Sequence, residues 1–142
     1  ARSSMTARLM ETWAHGQAAF DLLGRVRPAD DRIRNVVVLG VNTFGWTYKV
    51  NNLAVPEVVP HLVLEAPSGT IWHFGDETSD NTISGSAVEF AQVVTQTRNI
   101  ADTALGVGGP VATQWMSIAQ CFAGGAETPP AVGMRYQQSA LS

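Results

Sequence analysis

Hydrophobic residues recur at helical spacing at the start of the chain and predict a helix over about residues 4–23. The apolar stripe of this helix is formed by Met5, Leu9, Trp13 and Phe20. Glu11 and His15 fall on the opposite side, and because they are four residues apart they share one face. The rest of that face is small or apolar, so we expect the helix to be buried on both sides.

The pattern beyond this helix predicts a mixture of helices and short strands. Helical spacing from Asp30 or Asp31 to about Asn51 predicts a second helix, and apolar alternation over 61–66 and 70–75 predicts a β-hairpin. The later elements are an extended piece at 82–84, a helix after Gly85 that includes residues 87–94, a strand at 103–107 and a helix at 110–122. This order predicts an α+β fold with a mainly antiparallel sheet.

Composition narrows the class of protein. The 142 residues are 45% hydrophobic, which is enough for one core, but only 15% charged, which is low and indicates that some surface is meant for a partner. A net charge of -3 without a basic run argues against nucleic-acid binding. A single cysteine, Cys121, excludes an intrachain disulfide and is typical of a reducing compartment. Because no apolar run is long enough to span a bilayer, we expect a cytoplasmic protein without a membrane partner.

Glu11 and His15 are the first candidates for a functional site. A carboxylate and an imidazole set among alanines must bond to each other, pair with a cation or bind a metal, because burying them unpaired costs several kcal/mol. An isolated pair at this spacing is also common as a plain contact between helical turns. The sequence therefore offers a metal pair and a structural pair as alternatives.

Three segments resemble the mycothiol-dependent maleylpyruvate isomerase family. Residues 7–17, ARLMETWAHGQ, are similar to the last helix of the family's DinB-like metal-binding bundle, and 85–90, GSAVEF, followed by 94–98, VTQTR, is similar to the helix of its sterol-carrier-like domain. The resemblance covers about residues 3–124. It implies that residues 1–24 are the last helix of a DinB-like four-helix bundle whose remainder is absent here, 25–123 a small sterol-carrier-like α/β domain, and 124–142 a flexible tail.

The resemblance also implies a chemistry. Glu11 and His15 would be two of three ligands to a divalent metal, usually Zn²⁺, and the third would be a histidine from the upstream bundle. Metal with an open position would activate mycothiol, a low-molecular-weight thiol, for an isomerase or transferase reaction on a small-molecule substrate. The family's catalytic arginine aligns with Thr97, and the neighbouring Arg98 is our candidate for that role. Arg98 can equally bond helix carbonyls or the acid Asp102.

Other interpretations remain open from the sequence. His61 and His73 lie on the two predicted hairpin strands, where they could pair across the hairpin and supply the third metal ligand. Alternatively, each is a half-buried polar residue of its strand. A non-catalytic small-molecule or lipid-binding module of sterol-carrier type is one alternative function. An assembly domain, forming a homo-oligomer or joining an upstream bundle half, is another.

Overall fold

The computed structural model describes residues 30–133, which form one mixed α+β unit. The strands are β1 (His61–Glu65), β2 (Ile71–Phe74), β3 (Thr82–Ser86) and β4 (Gly106–Gly108). The helices are α1 (Arg34–Asn42), α2 (Phe44–Val50), α3 (Ala87–Val94) and α4 (Pro110–Ile118), with 3-10 turns at Asp31–Ile33 and Ile100–Asp102. The predicted α+β class is confirmed for these residues, whereas the predicted DinB-like helix lies outside them.

The four strands form one sheet in the order β2-β1-β3-β4. β1 pairs antiparallel with β2, β3 pairs antiparallel with β4, and the two central strands β1 and β3 run parallel. The predicted hairpin is thus confirmed, and the sheet is mainly antiparallel as expected. β2 and β4 are the two edge strands.

Side chains alternate between the two faces of the sheet, and within residues 30–133 helices cover only one of these faces. Leu62, Leu64 and Ile83 are fully buried on the covered face, where Trp72 and Phe74 of β2 also pack. Residues at the intervening positions lie on the opposite face because successive side chains of a strand point to opposite sides. His61, Glu65, Ile71, His73 and Thr82 therefore share the uncovered face.

The helical layer is built around three buried aromatic residues. Trp115 of α4 is fully buried and makes edge contacts with Phe44, at 4.8 Å between ring centroids, and with Phe90, at 5.7 Å. α3 crosses α1 at Gly40, whose missing side chain lets Val94 and Phe90 approach closely. These contacts hold the helices against the sheet and leave the hairpin at its edge.

Three predicted boundaries differ from the structure. The helix predicted from Asp30 or Asp31 to Asn51 is broken at Thr43, whose hydroxyl donates to the carbonyls of Leu39 and Gly40, in competition with the helical backbone. The last strand is 106–108 rather than 103–107, because a 3-10 turn occupies residues 100–102. The last helix ends at residue 118 rather than near 122, since Ala119 adopts extended backbone.

Residues 119–133 follow the last helix without forming a helix or strand. Hydrogen bonds attach this segment to the domain: the Gln96 amide donates to the carbonyl of Glu127 at 3.0 Å, and the Asn99 amide donates to the carbonyl of Pro130 at 2.9 Å. The flexibility expected for 124–142 stays a prediction. Among the described residues, no helix is both long and apolar enough to cross a membrane.

Candidate metal centre

The hairpin brings two histidines together on the uncovered face of the sheet. His73 of β2 lies directly opposite Val63 of β1, so His61, two residues before Val63, is its diagonal neighbour. The two rings stack with their planes 19° apart and their centroids at 5.5 Å. His61 Nε2 and His73 Nδ1 are 3.3 Å apart. Of the interpretations that the sequence leaves open, the structure shows the contact of the two histidines across the hairpin.

Glu77 is the third member of the cluster. The chain leaves β2 through Gly75, which has a φ of +76° and no room for a side chain, since a Cβ there would collide with the carbonyl oxygen of Pro60. This turn directs the following loop back towards the start of β1. The Glu77 carboxylate then lies so that its ligand oxygen and the two imidazole nitrogens are all within 4.8 Å of one another.

Asp76 shapes the loop that carries Glu77. The Asp76 carboxylate accepts hydrogen bonds from the Thr78 hydroxyl at 2.6 Å and from the Thr78 backbone N–H at 2.8 Å. These bonds lower the pKa of Asp76 below its usual value, and the neighbouring His61 lowers it further by a smaller electrostatic effect. Asp76 is therefore a fixed anion beside the imidazole of His61. In the described part of the chain, the Glu77 carboxylate accepts no comparable bond and is left available to a ligand.

The separation of the two imidazole nitrogens fits a tetrahedral metal ion. Zinc binds histidine nitrogen at about 2.0–2.1 Å, so two such ligands at a tetrahedral angle lie about 3.3–3.4 Å apart. His61 Nε2 and His73 Nδ1 already have this spacing. Two histidines and one glutamate are also a donor set found in catalytic zinc sites, where a fourth position stays open for water or substrate. The exposed Glu77 carboxylate, whose ligand oxygen lies within 4.8 Å of both nitrogens, is the candidate for a third protein ligand.

The same geometry has a metal-free interpretation. At 3.3 Å, one imidazole can donate its ring N–H to the other nitrogen, and the direction depends on the tautomers. A bound metal would displace that proton, because both nitrogens must offer lone pairs. The two states thus compete for the same two atoms.

The site residues predicted from the sequence, Glu11, His15 and Arg98, are not the three residues of the hairpin cluster. Glu11 and His15 lie outside the described residues, so their role in metal binding stays a prediction. Arg98 is 3% exposed and follows α3, and its backbone N–H donates to the carbonyl of Gln92 at 3.2 Å. The neighbouring Thr97 is 4% exposed and bonds the same carbonyl. Both positions belong to the helix-covered side and not to the hairpin cluster.

Two further residues bear on the chemistry of the domain. Cys121 is buried, and burial raises the pKa of its thiol from 9.0 to about 12, which makes it a poor nucleophile at neutral pH. Glu77 is a ligand candidate that the sequence analysis does not identify. Its position four residues after His73, beyond a glycine, was the available signal.

Comparison with known proteins gives two relatives. Proteins of Mycobacterium tuberculosis named uncharacterized protein MT0041 and uncharacterized protein Rv0036c are each 44% identical to this chain over 134 residues. The match covers 94% of this chain and 50% of each relative, so the chain spans about half the length of the curated relatives it matches. No protein-family model matches the chain, and no solved structure gives a significant match.

Proposed function

We propose that this domain binds a divalent transition-metal ion of the zinc type through His61, His73 and Glu77. The observation that carries the proposal is the 3.3 Å separation of His61 Nε2 and His73 Nδ1, which equals the ligand spacing of a tetrahedral site. Glu77 supplies the negative third ligand within reach of both nitrogens. The fourth position is then open to water or to a small ligand.

The surroundings of the cluster favour a cation. Asp76 and Glu77 place two carboxylates beside the imidazoles, and Asp80 follows in the same loop. An acidic surface raises the local concentration of divalent cations and makes their association faster. Exposure of His73 and Glu77 gives an ion direct access from solvent without an opening step.

Metal binding is tested by titrating the metal-free protein with zinc in a calorimeter and by counting retained zinc by elemental mass spectrometry. We expect one tightly bound ion in the wild type and a fall in affinity of at least tenfold in both His73→Ala and Glu77→Gln. Glu65→Gln is the matched control, because Glu65 is an exposed carboxylate on the same face of β1 and is not in the cluster. Zinc binding that is equal in all four proteins would refute the hairpin site.

A second proposal concerns the whole protein and follows the resemblance found in the sequence. In that proposal the chain belongs to a metal-dependent isomerase or transferase that uses mycothiol, with Glu11 and His15 as metal ligands. Two observations support it: Arg98 is buried just beyond α3, next to the position aligned with the family's arginine, and the relatives are long enough to include an upstream bundle. Bound zinc would lower the pKa of the thiol that it holds.

The two proposals are separable by experiment. Zinc content is measured for Glu11→Gln and His15→Ala, with and without a co-expressed upstream half, and compared with Glu77→Gln. A thiol-dependent enzyme should lose a zinc ion in the first two variants, together with thiol-dependent turnover, while the hairpin ion remains. Unchanged zinc content and unchanged thiol binding in Glu11→Gln and His15→Ala would contradict the second proposal alone.

A further inference from the structure

The three ligand candidates come from three segments at the open end of the hairpin. His61 is the first residue of β1, His73 belongs to the edge strand β2, and Glu77 lies in the loop that follows β2. A single ion bound to all three would therefore join two strands and a loop. Any movement that separates β2 from β1 would also pull the ligands apart.

β2 is held less firmly than the two central strands, β1 and β3. It has four residues, and within residues 30–133 no strand pairs with its outer edge. Its uncovered face carries Ile71, which is 49% exposed, and His73, which is exposed as well. Its covered face carries Trp72 and Phe74, which are half-buried rather than fully buried. Local opening is favoured where few apolar groups are buried and where the edge is free.

The two ends of the hairpin are fixed unequally. At the turn, the Asp31 carboxylate accepts hydrogen bonds from the Ser68 backbone N–H at 3.0 Å and from the Ser68 hydroxyl at 2.6 Å, which ties the turn to the start of the helical layer. At the open end, the backbone N–H of Asp76 donates to the carbonyl of Val59 at 3.3 Å, near the long limit for such a bond. The histidine pair lies at this weaker end.

We propose that the metal ion acts as a crosslink at the open end of the hairpin and that its binding controls the order of β2 and of the loop 75–81. This inference rests on the metal site proposed above. Asp31 fixes the turn at one end, and the ion fixes the other. In the metal-free protein the strand is held there by the ladder pair of Leu62 with Phe74, by Arg34 over the Phe74 ring at 5.3 Å, by the contact between the two imidazoles and by the long backbone bond. The hairpin is consequently the segment whose local opening responds most to zinc.

The magnitude follows from mass action. If opening of β2 requires release of the ion, zinc at 100 times its dissociation constant suppresses that opening about 100-fold. β4, the edge strand on the far side of the sheet, has no ligand and frays independently of the ion. Hydrogen exchange of β4 therefore serves as an internal control for a general effect of zinc.

The test is hydrogen–deuterium exchange of the full chain, followed by mass spectrometry of its peptides, with and without zinc. We expect exchange in residues 71–81 to slow about 100-fold, up to the limit set by global unfolding, while residues 106–108 change little. Glu77→Gln should lose most of this response and Glu65→Gln should keep it. Zinc bound with the expected stoichiometry but without slower exchange in 71–81 would overturn the crosslink and leave the metal site standing, whereas absence of zinc binding would overturn both.

Discussion

Gly40 provides the sharpest test of the packing that supports the sheet. It is a buried glycine in α1, and a Cβ added there would lie 2.8 Å from Val94 Cγ2, 3.1 Å from Val94 Cγ1 and 3.1 Å from Phe90 Cε2. Carbon atoms in good contact are about 3.5–4.0 Å apart, so the added methyl overlaps both neighbours. Val94 is β-branched and has little rotamer freedom in a helix, so the overlap must be relieved by separating α1 from α3.

The expected cost can be worked out with a matched glycine. Gly40→Ala gains about 1 kcal/mol of helix propensity but loses about 1–3 kcal/mol to overpacking, which gives a net destabilisation of roughly 1 kcal/mol. Gly45 is also in a helix, and its added Cβ would meet only Val55 Cγ1 at an ordinary 3.8 Å. Gly45→Ala should therefore gain the propensity term alone. The difference between the variants isolates the overlap at about 2 kcal/mol.

Urea denaturation followed by circular dichroism measures both variants against the wild type. We expect the free energy of unfolding to fall for Gly40→Ala and to rise for Gly45→Ala, with melting temperatures about 6–8 °C apart for a domain of this size. The slope of the free energy against urea should stay constant, since neither variant changes the surface exposed on unfolding. If Gly40→Ala were as stable as Gly45→Ala, the close approach of α1 and α3 would be wrong.

Three other predictions concern single side chains. Burial raises the pKa of Cys121 from 9.0 to about 12, so the thiol's contribution to stability is complete below pH 9 and is lost as the pH rises from 9 towards 12, by up to about 4 kcal/mol. Urea titrations between pH 8 and 10.5 should show that the free energy of unfolding falls more steeply with pH for the wild type than for Cys121→Ala. Parallel curves would contradict the burial. Asn81 Oδ1 accepts the backbone N–H groups of Val111 and Ala112 at 2.9 and 3.1 Å, so Asn81→Ala should destabilise the start of α4 by about 1–2 kcal/mol, and an unchanged melting temperature would count against this role. Gly75→Ala should cost more stability than Gly69→Ala, because both glycines have positive φ but only a side chain at residue 75 would meet the Pro60 carbonyl. Thermal melts measure this ranking, and a lower melting temperature for Gly69→Ala than for Gly75→Ala would contradict it.

Local pattern in the sequence was sufficient to predict the hairpin and its faces. Alternation of Leu62 and Leu64 with the less apolar set His61, Val63 and Glu65 identified the buried side, and the turn residues between the strands set the pairing. The same alternation placed His61 and His73 on one face. Helical spacing of apolar residues predicted α3 equally well. Ser86 caps this helix, since its hydroxyl oxygen accepts a hydrogen bond from the backbone N–H of Glu89 at 3.2 Å.

Only the tertiary structure decided how distant segments meet. The parallel pairing of β1 with β3 joins strands separated by the whole of β2, and no periodicity encodes that choice. The approach of Glu77 to the histidines depends on the backbone turn at Gly75, which lies so close to the Pro60 carbonyl that a side chain would not fit there. The burial of Arg98 likewise results from the packing of the helical layer. Side-chain periodicity is a property of neighbouring residues, whereas a site of three ligands requires loop closure and packing, which no single segment determines.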